Sequence, residues 1–145
     1  MKPLRAYTVF CEYMRTESAG TDTLLGVIPG AVHIATPPDG VDQIGIQLHC
    51  YSHIELSTAD GLAKNCIVTI QYNGVELVRN VVPDSVLVQE FEQSKIRASN
   101  KATIISRVFG NGMIIPAKNG WLQSVLNVDG DETIIGELEI GFLVG

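Results

Sequence analysis

Six times in this chain an Asn or Asp stands directly before a Gly: Asp39-Gly40, Asp60-Gly61, Asn73-Gly74, Asn111-Gly112, Asn119-Gly120 and Asp129-Gly130. That dipeptide suits a turn needing positive φ, which Gly adopts freely and Asn or Asp tolerates. Several of the six lie between runs of β-branched and apolar residues, so the chain reads as antiparallel strands joined by tight turns. The expected fold is all-β, an antiparallel two-sheet β-sandwich of immunoglobulin-like or C2-like character with at most one short helix. Residues 1–145 are expected to form a single domain, a length that needs no disulfide or metal staple.

Along the chain, Ala6 to Thr16 and Thr23 to Ile28 read as a strand pair around a Ser-Ala-Gly turn, and Val32 to Ala35 as a short edge strand. Gln43 to Ser52 alternates: Ile44, Ile46, Leu48 and Cys50 point one way, and Gln43, Gly45, Gln47, His49 and Tyr51 the other. Glu55 to Lys64 reads as a polar loop. Cys66 to Tyr72 and Val75 to Val82 form the clearest hairpin, around Asn73-Gly74. Pro83 to Asn100 is ambiguous: one short helix, capped by Asp84 or Ser85, would put Leu87, Val88, Phe91 and Lys95 on one stripe, while Val86-Leu87-Val88 alone reads as a strand, and the helix is the preferred reading. Ala102 to Phe109 and Met113 to Ile115 read as strands either side of Asn111-Gly112. Trp121 to Val128 and Thr133 to Val144 form a last hairpin, with Ile134, Gly136, Leu138, Ile140, Phe142 and Val144 facing the core.

Charged residues make up only 18% of the chain, below the usual ~25%, and mean hydropathy is +0.20. So few charges point to apolar surface buried between copies, with a large, well-shielded core as the alternative. The net charge of −6 argues against phosphate-backbone binding, which needs clustered Lys and Arg, so no nucleic-acid partner is expected. The charge is also polarised: no Lys or Arg follows Lys118, while Asp129, Asp131, Glu132, Glu137 and Glu139 do. No run approaches the ~20 apolar residues of a membrane span, and Met1 to Met14 does not read as a secretory signal. Cys11, Cys50 and Cys66 sit in apolar runs with no C-x-x-C pattern, as buried thiols in a reducing compartment do. The expected location is the cytoplasm, or a virion assembled there.

The titratable residues make no known constellation. His49 and His53 are four apart, which on a strand places them about 13 Å from each other, too far to share an ion. No local signature pairs a Cys with a His as nucleophile and base. Asp129-Gly130-Asp131-Glu132 lacks the ligand pattern of a calcium loop. Glu137 and Glu139 share a strand face where charges belong in any case. The sequence therefore points to no catalytic residue, no cofactor and no metal ligand. The candidate interaction residues are Trp121, Tyr51 and His49. Trp121, the single Trp, reads as a core or interface anchor.

Phe10-Cys11-Glu12, Arg15, Glu17 and Gly20, followed by Thr23-Leu24-Leu25-Gly26-Val27, resemble the opening of a family of small uncharacterised bacterial and phage-borne proteins. Those begin with a Cys-acidic-x-x-Arg strand and return through a Ser-Leu-Ile-Gly-Val strand, and Trp121 to Gly130 looks like their closing hairpin. The match covers residues 10–27 and departs at Tyr13-Met14 and Thr21-Asp22. It implies a single β-sandwich and carries no catalytic residue. Gly26 inside a strand points to a bulge or a close backbone approach.

The functional expectation is a non-catalytic structural or assembly protein that forms a homo-oligomer or larger assembly, a phage or prophage particle component among the options. The alternatives are a binding module for a protein or glycan, using loops such as Thr36 to Asp42, and a small hydrolase with an unrecognised site.

Overall fold

The structure is a computed structural model and describes residues 1–143; Val144, expected on the core face, lies outside the described residues. In chain order the elements are β1 (Arg5–Thr16), β2 (Asp22–Ile28), β3 (Ala31–Ala35), β4 (Gln43–Ser57), β5 (Cys66–Tyr72), β6 (Val75–Val81), α1 (Asp84–Ile96), β7 (Lys101–Pro116), β8 (Gly120–Val128) and β9 (Asp131–Leu143). One sheet runs β2-β1-β4-β7 and the other β3-β9-β8-β5-β6. The two sheets close on a shared apolar core, so the chain is an all-β sandwich with one short helix. The pairing is antiparallel except for β3, which joins β9 in parallel.

Strict alternation builds the core. Cys66, Val68, Ile70 and Tyr72 of β5 face inward, as do Leu122, Leu126 and Val128 of β8. Cys50, Ile54 and Leu56 of β4 and Ala102, Ile104 and Val108 of β7 meet them from the other sheet. A fully buried Leu, Ile or Val contributes about 1.5–3 kcal/mol relative to its exposed state. Asn73-Gly74 and Asp129-Gly130 both have positive φ at each residue and join their strands through two-residue turns, as expected.

Four local expectations are corrected. The polar loop begins only after Ser57, because Ile54 and Leu56 carry β4 onward into the core. Asn111-Gly112 is no turn: β7 is one strand, and Gly112, with φ of 76°, is the extra residue of a bulge opposite Ile46 and Gln47. The bulge shifts the alternation, so that Val108 and Met113, five apart, both face the core. A second irregularity places Ile135 in the core and leaves Ile134 exposed. The helix forms, but its N-cap is Pro83, whose carbonyl accepts from the amides of Val86 and Leu87. Its buried stripe is Leu87, Phe91 and Ser94, with Val88 and Lys95 in solvent.

The core also holds a row of polar side chains. Thr8, Ser52 and Ser106 lie side by side across β1, β4 and β7. The Thr8 hydroxyl meets Ser52 Oγ at 2.8 Å and donates to Ser124 Oγ of the opposite sheet at 2.8 Å. Asn80 Nδ2 of β6 donates to Ser106 Oγ at 2.7 Å. Gly136 makes the crossing possible, since a Cβ there would stand 2.8 Å from that of Thr8. Among the described residues no buried side-chain nitrogen or oxygen is left without a partner. The row links both sheets at one level, where satisfied polar contacts favour a single register.

Candidate functional site

Past Cys11, β1 leaves β4 and continues as a hairpin arm with β2. The arm breaks the alternation: Phe10 and Cys11 are both buried, Glu12 and Tyr13 both exposed, and Met14 buried again. Gly26 sits on the arm at φ of 66°, where a Cβ would meet the Glu12 side chain at 2.8 Å. The register is the same on either side of this point, with no extra residue in either strand, so Gly26 marks a close approach rather than a bulge.

The arm tip is tied to the outer face of the four-stranded sheet. Arg107 Nε and Nη2 of β7 donate to the two carboxylate oxygens of Asp22, each at 2.8 Å. Such a two-pronged pair fixes geometry as well as charge. The paired guanidinium, helped by the Thr16 hydroxyl, holds the Asp22 carboxyl below the usual Asp range. That contribution is complete above the unfolded value near 4 and is lost as pH falls through the lower folded value. Asp22→Asn is therefore expected to be less stable than the parent at neutral pH and to converge with it in acid. Urea midpoints across a pH series read this directly, and parallel curves would show that the pair contributes nothing.

Beside this clasp lies Tyr51, between Val9 and Arg107 of the neighbouring strands. Burial, and then the nearby Asp22 charge, push its phenol up. One row along, Cys11 and His49 face each other. His49 is only 3% exposed and has no free surface to offer a partner. Its Nδ1 accepts the Gly110 amide at 3.1 Å, and its ring meets Phe109 edge-on. The Cys11 thiol donates to the His49 carbonyl rather than to the ring, and burial pushes it up. The pair is thus a packing contact in which the thiol is not aligned with the imidazole. Burial pushes the Cys50 and Cys66 thiols up to about 12 and about 11.

Further down the same face the side chains range from half-buried, as His53 and Glu55 are, to exposed, as Arg5 and Lys101 are. Arg5 lies over the Tyr7 ring at 5.2 Å, and Tyr7 stacks on His53 with 5.1 Å between centroids. His53 Nε2 approaches Glu55 at 3.3 Å, and Lys101 Nζ donates to the same carboxylate at 3.1 Å. Arg5 makes no ion pair among the described residues. Together these residues form an aromatic ridge with a positive balance.

Trp121 lies on the opposite side of the molecule, 46% exposed at the start of β8, so it is not a core anchor. It stands across from Glu139, and next along the sheet Gln71 donates to Gln123, which donates to Glu137. The structure therefore brings Tyr51 and His49 to one face and Trp121 to the other. Beside Trp121's face is a hollow of about 410 Å³ with Ile67, Val125, Glu132 and Ile134 in its wall.

Sequence reasoning missed the Asp22–Arg107 clasp and the Tyr7–His53 stack. The clasp spans 85 residues and has no local signal. The stack follows once β1 and β4 are paired, and period-two parity then places both rings on the outer face.

Among the described residues no group of three or more His, Cys, Asp or Glu stands close enough to share a metal ion. No helix there is long and apolar enough to cross a membrane. Comparison with protein-family models, curated proteins and solved structures returned no match.

Proposed function

We propose that this chain is a non-catalytic structural protein that associates with copies of itself, as the building blocks of a phage or prophage particle do. The observation that carries the reading is the bare apolar back of the hairpin arm. Tyr13 is 45% exposed, and Leu25 and Val27 are each 55% exposed, with Phe109 of β7 also open to solvent. Tyr13 and Leu25 are direct cross-strand neighbours, so they present one continuous surface. Apolar contacts of this kind are favourable when a second surface removes them from water. With 18% charged residues there is little polar surface to offset them. The three free, buried thiols support assembly in a reducing compartment such as the cytoplasm. Kinship with the bacterial and phage-borne sandwich proteins belongs to the same proposal.

Light scattering behind size exclusion, across a concentration series, tests it. The expected mass is a multiple of 15.7 kDa that falls on dilution. Leu25→Glu combined with Val27→Glu is expected to weaken association by at least about tenfold, because charge at the centre of an apolar contact is costly. A 15.7 kDa monomer at every concentration would sink the reading.

A further inference from the structure

The two outer faces of the sandwich differ in sign. On the five-stranded sheet, Glu132, Glu137 and Glu139 are exposed along β9, opposite Asn127, Gln123 and Trp121 of β8. None of the three makes an ion pair among the described residues. The Gln71–Gln123–Glu137 chain of hydrogen bonds holds the middle one in place. Beside them the hollow presents Ile67, Val125 and Ile134, and Trp121 stands at the end of the row. The cation lining that hollow, Arg79, is engaged by Glu76 at 2.8 Å, which leaves the three glutamates unpaired; like charges lined up in this way repel one another, and a cationic surface relieves that repulsion.

The four-stranded sheet carries such a surface. Among the described residues Arg5, over Tyr7, makes no ion pair; Lys101 shares Glu55 with His53, and the apolar back of the arm lies on the same side. Copies with a net charge of −6 repel as wholes, so a contact between opposite local fields eases and orients their approach. Arg, Tyr and Trp are also the residue types that most often anchor interfaces.

We infer that one copy seats the Arg5–Tyr7–His53–Lys101 face of its four-stranded sheet on the Glu132–Glu137–Glu139 face of the next copy's five-stranded sheet. The inference rests on the self-association proposed above and adds which surfaces meet. Because the two faces lie on opposite sides of the sandwich, each copy has both ends free to engage. The contact is head-to-tail and repeats, giving a ring where the rotation closes and a filament where it does not.

Charge reversal separates this from self-association in general. Arg5→Glu with Lys101→Glu reverses one face, and Glu137→Lys with Glu139→Lys reverses the other. Each double variant alone is expected to associate at least about tenfold more weakly than the parent. An equimolar mixture is expected to recover the assembly, since the reversed faces match each other. Circular dichroism checks that each variant is folded. For the parent, raising salt from about 0.05 to 0.5 M is expected to lower the average mass, because screening shortens the reach of exposed charges.

If the reversed variants assemble as the parent does, the inference is overturned while self-association stands. If folded variants lose assembly and do not recover on mixing, the two faces do not meet, and the glutamates serve some other cationic partner. If the variants fail to fold, the parent's salt series decides, and an unchanged mass overturns the inference. A parent that is monomeric throughout removes both the inference and the reading beneath it.

Discussion

Gly110→Ala is expected to lower stability by about 3 kcal/mol or more, at the severe end for a single methyl group. A Cβ at Gly110 would stand 2.0 Å from the Leu48 carbonyl oxygen and 2.3 Å from Met113 Cε. The methionine can move, but the carbonyl cannot, because Leu48 is the direct partner of Gly110 in the β4–β7 ladder. Relief requires the two longest strands to separate where the Gly110 amide also donates to His49 Nδ1. Gly45→Ala is the matched control. Its nearest neighbour would be the Gly112 Cα at 4.0 Å, so its effect is expected to stay within about 0.5 kcal/mol. Urea unfolding of both variants measures the contrast, and a mild Gly110→Ala would mean that β4 and β7 are not paired in this register.

Thr8→Val is expected to cost about 2–3 kcal/mol although it changes shape very little. The Thr8 hydroxyl is the partner of both Ser52 and Ser124, and those two serines are essentially without solvent contact. Valine leaves both unpaired in the interior, and a buried polar group without a partner costs far more than a made hydrogen bond contributes. The same logic gives a rescue. Adding Ser52→Ala and Ser124→Ala to Thr8→Val removes the stranded groups, and much of the lost stability is expected to return. A triple variant no more stable than Thr8→Val would falsify this account of the row. A recovered but loosely packed protein, seen as poor dispersion of its methyl resonances, would show that the row specifies register more than it stabilises.

What the sequence made legible, and what it hid, divides along local and non-local physics. Asn73-Gly74 and Asp129-Gly130 announced their turns because positive φ in two successive residues is a local property. Asn111-Gly112 has the same letters and a different outcome: Gly112 uses its positive φ for a bulge, and the chain goes straight on. The dipeptide encodes a backbone conformation, and the partner strand decides whether that reverses the chain. Parity places Ile134 in the core, and an irregularity in β9 that parity cannot see hands the place to Ile135. Parity puts His49 on the outer strand face, where it lies, yet it is buried there because the arm folds over that part of the face.

The polar row has a signature in the sequence. Ser52, Ser106 and Ser124 each fall between inward apolar residues two positions away: Cys50 and Ile54, Ile104 and Val108, Leu122 and Leu126. A serine on an inward parity position, repeated in three strands, is a signal that hydroxyls meet across a core. The differing signs of the two outer faces were half visible, as the acid-rich stretch after Lys118. Which cations face away from it depended on the pairing of β1 with β4 and β7, which no local pattern states.

The hydroxyl contact between Thr8 and Ser124 also bears on the order of events when the chain folds. It joins residues 116 apart in sequence, and the amino group of Met1 reaches the Val128 carbonyl across 127. β3 can take its place only once β9 is present to pair with it. Early hairpins such as β5–β6 can form on the microsecond scale, but neither they nor the β1–β2 arm can bury an inward face by themselves. The entropic cost of closing such long loops comes before the contacts that reward it, which places folding in the slow range of milliseconds to seconds typical of sandwiches. During synthesis β1, β2 and β4 wait, apolar faces open, until β8 and β9 leave the ribosome. For a protein proposed to join copies of itself, that wait is when strands of neighbouring nascent chains compete with its own, and the rate at which the last two strands arrive governs how much correctly closed subunit is made.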